Sequence, residues 1–299
     1  MLSLIICTKH GSIAESFIKN IDETIGVQYE LIVIDNTNNR YSIFEGYNLG
    51  IEKANFPFLC FLHDDLHFLT NNWGQTVLNR FSSDQKLGAI GVSGSPYYPA
   101  MPGAWWSTGI YTKYIAVADS ATNGLQTLYA EYQPVHNNQL PVVLLDGMWL
   151  CIRKSIFEHI QFDNSTFKGF HHYDMDICLQ IHQLGYKLIS VYDVLIRHDS
   201  EGTRDHTWLA SSLEFQKKWL HHLPISVVEL SWNKKFNAEY SALAHYLVTL
   251  KRNGVSVQGI TSTLLNQIFK QKFRWYKVLF IPLFINYTTR FLFKRHKSY

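Results

Sequence analysis

Two consecutive aspartates, Asp64 and Asp65, follow His63 at the end of the apolar run FLCFL. Adjacent carboxylates at a strand end repel each other, and a divalent cation carrying substrate phosphates would relieve that repulsion. The plainer alternative is a solvated turn or helix N-cap, where acidic residues are common. A second group is HHYDMD, residues 171–176, at the head of an apolar helical pattern (Ile177, Leu179, Ile181, Leu184). Asp174 or Asp176 there suits a general base, which removes a proton from a hydroxyl held beside it in a partly desolvated cleft. A carboxylate in a first helical turn can also simply favour the helix dipole. His198, two residues past the apolar run 188–196, is a third candidate. Imidazole beside carboxylates is a good Mn2+ ligand, although a lone histidine is more often structural.

These groups are far apart in the chain, so the fold must bring them together. Residues 2–8 form an apolar strand-like run, and residues 12–25 place Ile13, Phe17, Ile18, Ile21 and Ile25 on one helical stripe. Ser12 followed three residues later by Glu15 predicts a capping box for that helix. A strand over 29–34, a helix over 42–54 and a buried strand over 56–62 follow. Strand, helix, strand, helix, strand predicts parallel pairing with right-handed crossovers, and such sheets bind ligands beyond the carboxyl ends of their strands. Thr8-Lys9-His10, Asp35-Asn36 and His63-Asp64-Asp65 all fall at those ends and should converge on one crevice.

Residues 95–140, rich in Pro, Gly, Tyr and Asn and containing Trp105-Trp106, predict long loops and short strands. A strand over 142–145 ends in Asp146-Gly147, and residues 148–153 lead into a helix from Ser155. Residues 167–173 (FKGFHHY) form a polar, aromatic loop with Gly169 as a hinge. A helix over 174–184, a last strand over 188–196 and helices over 209–220 and 237–252 complete the pattern.

The chain has 299 residues, 46% hydrophobic, 15% aromatic and 17% charged, which excludes wholesale disorder and allows a substantial core. Its four cysteines (Cys7, Cys60, Cys151, Cys178) lie in apolar settings without a CxxC pair, so buried reduced thiols in a cytosolic protein are expected. No GxGxxG, GxxxxGK[ST] or GxSxG is present, which counts against dinucleotide dehydrogenases, P-loop NTPases and α/β-hydrolases.

Taken in order, LSLIICTKH, ELIVIDNTNN, GYNLGIEKA, FLCFLHDDLHF, LLDGMWLCIRKSIF and FHHYDMDICLQIHQLGYKLISVYDVLIRH resemble the family 2-like glycosyltransferases of the GT-A fold, over about residues 1–200. The HDD form and the HHYDMD loop resemble the bacterial branch acting on surface polysaccharides. The resemblance implies an α/β fold, a mixed sheet flanked by helices, with a catalytic domain over 1–205; the helical pattern and basic composition beyond it mark 206–299 as a helical, basic extension. The resemblance also implies transfer from a nucleotide-sugar donor, UDP by the family's habit, to a glycan or lipid-linked acceptor, with Mn2+ or Mg2+ and inversion at the anomeric carbon.

Residue by residue, Thr8 and Asp35 stand where such enzymes contact base and ribose, and Asn48 where a short helix faces the nucleotide. His63-Asp64-Asp65 stands in place of the DxD motif, with His in its first position. Asp64 goes to the donor and Asp65 to the metal, and His198 matches the histidine that completes the metal site or touches the diphosphate. Asp146 and Gly147 resemble the strand framing donor sugar and acceptor, and Trp149 either stacks on a sugar face or is a buried aromatic. Asp174 matches the final Asp of the family's ED motif, with Tyr173 replacing Glu, and is the expected base, with Asp176 as fallback. The departures at His63 and Tyr173 keep open a degenerate, non-catalytic nucleotide- or sugar-binding protein. A nucleotidyltransferase would share the sheet, but Lys9-His10-Gly11 is not its Gly-rich loop.

The net charge of +3 divides unevenly: residues 1–239 carry 17 Lys+Arg against 24 Asp+Glu, whereas 240–299 carry 10 Lys+Arg and no acid. In 259–299 the basic residues interleave with aromatics, which suits either an anionic membrane surface or a helix packed on the catalytic domain or on a homodimer partner. The run 278–293, broken by Pro282, Asn286 and Arg290, is shorter than the ~20 residues that span a bilayer. The expectation is a cytoplasmic protein for which peripheral attachment to the inner face of the membrane stays open, and no nucleic-acid module is recognised.

Overall fold

The structure is a computed structural model that describes residues 1–119, 122–133, 137–198, 202, 204–256 and 259. Its first elements are β1 (Leu2–Thr8), α1 (Glu15–Thr24), β2 (Tyr29–Asp35), α2 (Ile43–Lys53), β3 (Phe58–Leu62), β4 (Leu66–Phe68), α3 (Trp73–Ser83) and β5 (Leu87–Gly91). Short strands follow: β6 (Ser93–Ser95), β7 (Tyr97–Tyr98), β8 (Thr112–Lys113), β9 (Ile115–Asp119), β10 (Gly124–Leu128), β11 (Gln139–Val142) and β12 (Leu144–Leu145). The chain continues through β13 (Trp149–Arg153), α4 (Tyr173–Gln183), β14 (Lys187–Val191), β15 (Ile196–His198), α5 (His206–Trp219), β16 (Ile225–Ser226) and α6 (Trp232–Arg252).

The expected mixed α/β architecture is present. Seven strands form one sheet in the order β11-β14-β5-β13-β3-β1-β2. β1 pairs in parallel with β2 and β3, as the strand–helix alternation predicts, and β13 runs antiparallel between β3 and β5. Successive strand side chains point to opposite faces, and two cores result. Ile5, Leu59, Phe61, Leu150 and Ile152 join the core beneath α2 and α4, while Leu4, Ile6, Cys60, Leu62 and Trp149 join the core beneath α1 and α3. α2 approaches β1 closely because Gly46 and Gly50 face it. A Cβ on Gly50 would lie 2.3 Å from Ile5 Cγ2, which accounts for the glycines of GYNLG as packing residues.

Several expectations are corrected. Ser12 does not cap α1, which starts at Glu15 after Ala14 with no side-chain cap; the capping box forms instead at α2, between Ser42 and Glu45. Cys60 and Cys151 stand opposite each other on β3 and β13 and are joined by a disulfide, so the reduced thiols are Cys7 and Cys178. The strand expected over 188–196 is broken into β14 and β15. β15 leaves the main sheet and pairs antiparallel with β4.

α5 does not stand apart from the sheet domain, since Phe215 and Trp219 enter the core beneath α2 and α4. Glu239 of α6 accepts from Tyr97 Oη and Ala100 N (2.9 Å). No helix among the described residues is long and apolar enough to cross a membrane. The basic segment expected at 259–299 lies, apart from Gly259, outside the described residues.

Candidate functional site

Three strand tips and two pairings build the site. Thr8 and Asp35 are register partners at the carboxyl ends of β1 and β2. Thr8 donates its hydroxyl hydrogen to Asp64 Oδ2, tying the β1 tip to the β3 tip. Because β13 is antiparallel to β3, its start arrives at the same end of the sheet, and His63 N donates to Met148 O (3.0 Å). Asp146 and Gly147 therefore sit beside His63. β4 begins immediately after Asp65, and its pairing with β15 sets His198 opposite Leu66. That register brings His198 Nε2 to 3.5 Å from Asp65 Oδ1.

His63, Asp65 and His198 form a cluster in which one ligand atom from each lies within 4.8 Å of the others. Two imidazoles and a carboxylate suit a divalent transition ion. Burial, together with nearby His198, holds the His63 imidazole below its ordinary pKa, so it stays neutral and able to ligate. Burial also pulls the His198 pKa down, but the hydrogen bond and charge of Asp65 outweigh it and leave His198 raised. His63 Nε2 lies 2.9 Å from Tyr173 Oη, a partner that fixes the ring's orientation. The residues present therefore fit a divalent transition ion such as Mn2+ better than the oxygen-preferring Mg2+.

Asp174, in the first turn of α4, lies against the Asp146-Gly147 turn that borders this cluster. Its Oδ2 accepts from Gly147 N (3.0 Å) and its Oδ1 from Met175 N (2.8 Å). Burial and the charge of Asp146 push its carboxyl pKa up to about 7, against the opposing pull of those two amides. Asp146 is itself held by Met148 N and by Trp105 Nε1, both at 3.0 Å. A half-buried carboxylate poised near neutral pH, beside Asp146 and Gly147, has the properties of a general base.

Gly147 is required by close approach, because a Cβ there would lie 2.2 Å from Tyr173 Oη. Gly147→Ala is expected to push the Tyr173 hydroxyl off His63 and weaken metal affinity about tenfold, the order seen when a ligand's supporting partner is lost. Titration of the purified variant with Mn2+ checks this, with an unchanged Kd as the contrary result.

Three expected site residues do not reach the cleft. Trp149 is fully buried, packed edge-on to Trp73 and Phe68, so it cannot stack on a sugar. Asn48 exchanges two hydrogen bonds with the backbone of Phe162 (2.8 and 3.1 Å), which ties α2 to the segment before α4. Asp176 is 0% exposed, paired with Lys218 Nζ (2.8 Å) and accepting from Trp219 Nε1 (2.8 Å). It anchors α5 to α4 and does not face the cleft. Asp176→Asn is expected to lower stability by about 1–3 kcal/mol, the scale for a buried hydrogen-bonded charge. Chemical denaturation measures it, and an unchanged midpoint would refute the anchoring role.

Asp35 sits at the rim, exposed, accepting from Thr37 N (2.9 Å). The hydroxyl and amide of Thr37 hold its carboxyl below the usual range. Sequence alone does not single out His63 as a candidate ligand or Tyr173 as the partner that orients it. The signal for His63 is a histidine directly preceding two carboxylates at a strand end.

A family model described as "Glycosyltransferase like family" matches residues 3–223. Among curated proteins, the chain is 22% identical over 204 residues to the streptomycin biosynthesis protein StrF of Streptomyces griseus, covering 66% of this chain and 62% of that one. Solved structures with similarity include GalNAc-T7 with UDP, GalNAc and Mn2+ (12% identity, TM-score 0.47, 67% of this chain and 43% of that one). Another is the mannosyltransferase PcManGT from Pyrobaculum calidifontis with GDP-Man and Mn2+ (12% identity, TM-score 0.45, 93% of this chain and 82% of that one).

Proposed function

The chain belongs to the glycosyltransferase-like family matched over residues 3–223, and from that premise we propose that it transfers a sugar, with inversion, from a nucleotide-sugar donor to a hydroxyl of a glycan or lipid-linked acceptor. The observation that carries this reading is the juxtaposition of the His63, Asp65 and His198 cluster with Asp174 at one end of the sheet.

His63, Asp65 and His198 are the residues that would hold Mn2+ or Mg2+. The cation, when bound, supplies positive charge against the charge that grows on the diphosphate leaving group. Thr8, Asp35 and Asp64 bind the nucleoside side of the donor. Asp146, fixed by Trp105 and Met148, and the Gly147 backbone frame the transferred sugar. Asp174 takes the proton from the acceptor hydroxyl as it attacks the anomeric carbon from the face opposite the leaving group, which gives inversion.

UDP is the preferred nucleotide from the family's habit. The HDD and HHYDMD segments support a role in bacterial surface polysaccharide synthesis. The chemistry is assigned to the sheet domain over 1–205, on which α5 and α6 pack. Of the extension over 206–299, the basic segment 259–299 is assigned to the cytoplasmic membrane surface or to a dimer partner. The chain spans 62% of the length of the curated relative it matches.

Thermal melting of the purified protein with UDP, GDP, dTDP or CMP, each with Mn2+, Mg2+ or EDTA, tests the donor site. A ligand that binds only the folded state raises Tm by mass action. The reading requires a shift with a nucleoside diphosphate that EDTA removes, and no shift with any of them from a folded sample contradicts it.

A further inference from the structure

We propose that Phe170 is the sugar-stacking surface of this site, an aromatic face that takes the C–H face of a pyranose ring; the inference rests on the glycosyltransferase reading above. Phe170 is 45% exposed, whereas Tyr47, Trp105, Trp149 and Tyr173 around the same end of the sheet are buried. Its ring centroid is 5.9 Å from those of His63, His171 and Tyr173. It thus borders both the metal cluster, through His63, and the base helix, through Tyr173. Lys9 Nζ, from the β1 tip, lies 5.9 Å from the same centroid.

The ring is held in place by its neighbours in sequence. Gly169 adopts φ +92°, a left-handed conformation that favours glycine, and its carbonyl accepts from Ile43 N (3.0 Å) at the start of α2. The carbonyl of His171 accepts from Ser211 Oγ (3.0 Å) on α5. Phe170 is therefore pinned on both sides while its ring stays open to solvent. Singly exposed aromatics are common on protein surfaces, and what sets this one apart is its place against His63 and Tyr173 at the strand tips, where a ligand with an apolar face would cover it. Pyranose rings have such a face, formed by their axial C–H bonds, and stacking needs no hydrogen bond from the protein.

The pyranose can come from the donor or from the acceptor, and the test separates them. Wild type, Phe170→Ala, Phe170→Leu and Phe170→Tyr are compared in three assays with Mn2+: binding of the nucleoside diphosphate alone, binding of the matching nucleotide sugar, and KM for a methyl pyranoside acceptor at saturating donor. The proposal expects nucleoside diphosphate binding unchanged in all four. It expects nucleotide-sugar affinity to fall, or acceptor KM to rise, by about three- to tenfold in Phe170→Ala, the scale of one aromatic contact. A smaller loss in Phe170→Leu and recovery in Phe170→Tyr would mark the ring face as the cause. The assay that moves identifies donor or acceptor. Unchanged values in both, with nucleoside diphosphate still bound, overturn the stacking role alone. A wild-type protein that binds no nucleoside diphosphate overturns the glycosyltransferase reading and this proposal with it.

Discussion

Replacing Asp174 with asparagine is expected to reduce turnover by about 10²- to 10⁴-fold, the contribution of a positioned base, while donor binding stays near wild type. The side chain keeps its size, and Asp64, Asp65 and the histidines are untouched. The pH profile should carry the same assignment. With a carboxyl pKa of about 7, the base is protonated and inactive at low pH. For the wild type, kcat/KM then rises roughly tenfold per pH unit below pH 7 and levels off above it. The residual activity of Asp174→Asn should lack this limb.

Stability should move the opposite way. The folded protein keeps the Asp174 proton up to about pH 7, whereas the unfolded chain releases it in the ordinary carboxylate range near ~4. Between those limits the folded state binds more protons, so this group's contribution to stability falls as pH rises from ~4 to ~7 and stays low above that. Melting curves across this range should show the decline in the wild type and a flatter profile in Asp174→Asn. Equal slopes in the two proteins would mean that Asp174 titrates as an ordinary surface carboxylate.

The second large effect is expected from Asp65→Ala. Asp65 is the carboxylate of the candidate metal cluster, and its loss leaves two imidazoles. Turnover should fall by at least ~10²-fold, the order for losing one preorganised stabiliser of developing charge. The EDTA-sensitive part of nucleotide binding should disappear. His198 gives an independent readout, because its raised pKa depends on Asp65 while burial acts against it. In Asp65→Ala the His198 pKa, followed by NMR, should fall relative to the wild type. A variant with full metal-dependent turnover would rule out Asp65 as a ligand.

The architecture was largely legible because it is encoded in local periodicity. Leu2–Thr8 and Tyr29–Asp35 read as strands from continuous apolar runs, and the helices near α2, α4 and α5 read from their stripes. Convergence of Thr8, Asp35 and His63-Asp64-Asp65 follows from parallel strand order alone. Asp65 and His198 meet for a different reason: β4 and β15 are three-residue strands far apart in sequence, and no periodicity marks such a pairing. Trp149 illustrates the opposite difficulty. It stands two residues from Gly147, yet strand alternation sends its side chain into the core beneath α1 and α3. Asp174 and Asp176 are likewise separated by helix geometry, two residues being too few to share a face. One therefore faces Gly147 and the other Trp219.

Whether this cleft activates a nucleotide sugar with a divalent cation is decided by following nucleoside diphosphate release from a panel of nucleotide sugars, the sugar passing to water or to a methyl pyranoside acceptor, with Mn2+ and with EDTA, for wild type and Asp65→Ala side by side. Release is expected from one donor class, to require the cation and to be lost in Asp65→Ala. Release that is equal with EDTA, or equal in the two proteins, would contradict that activation.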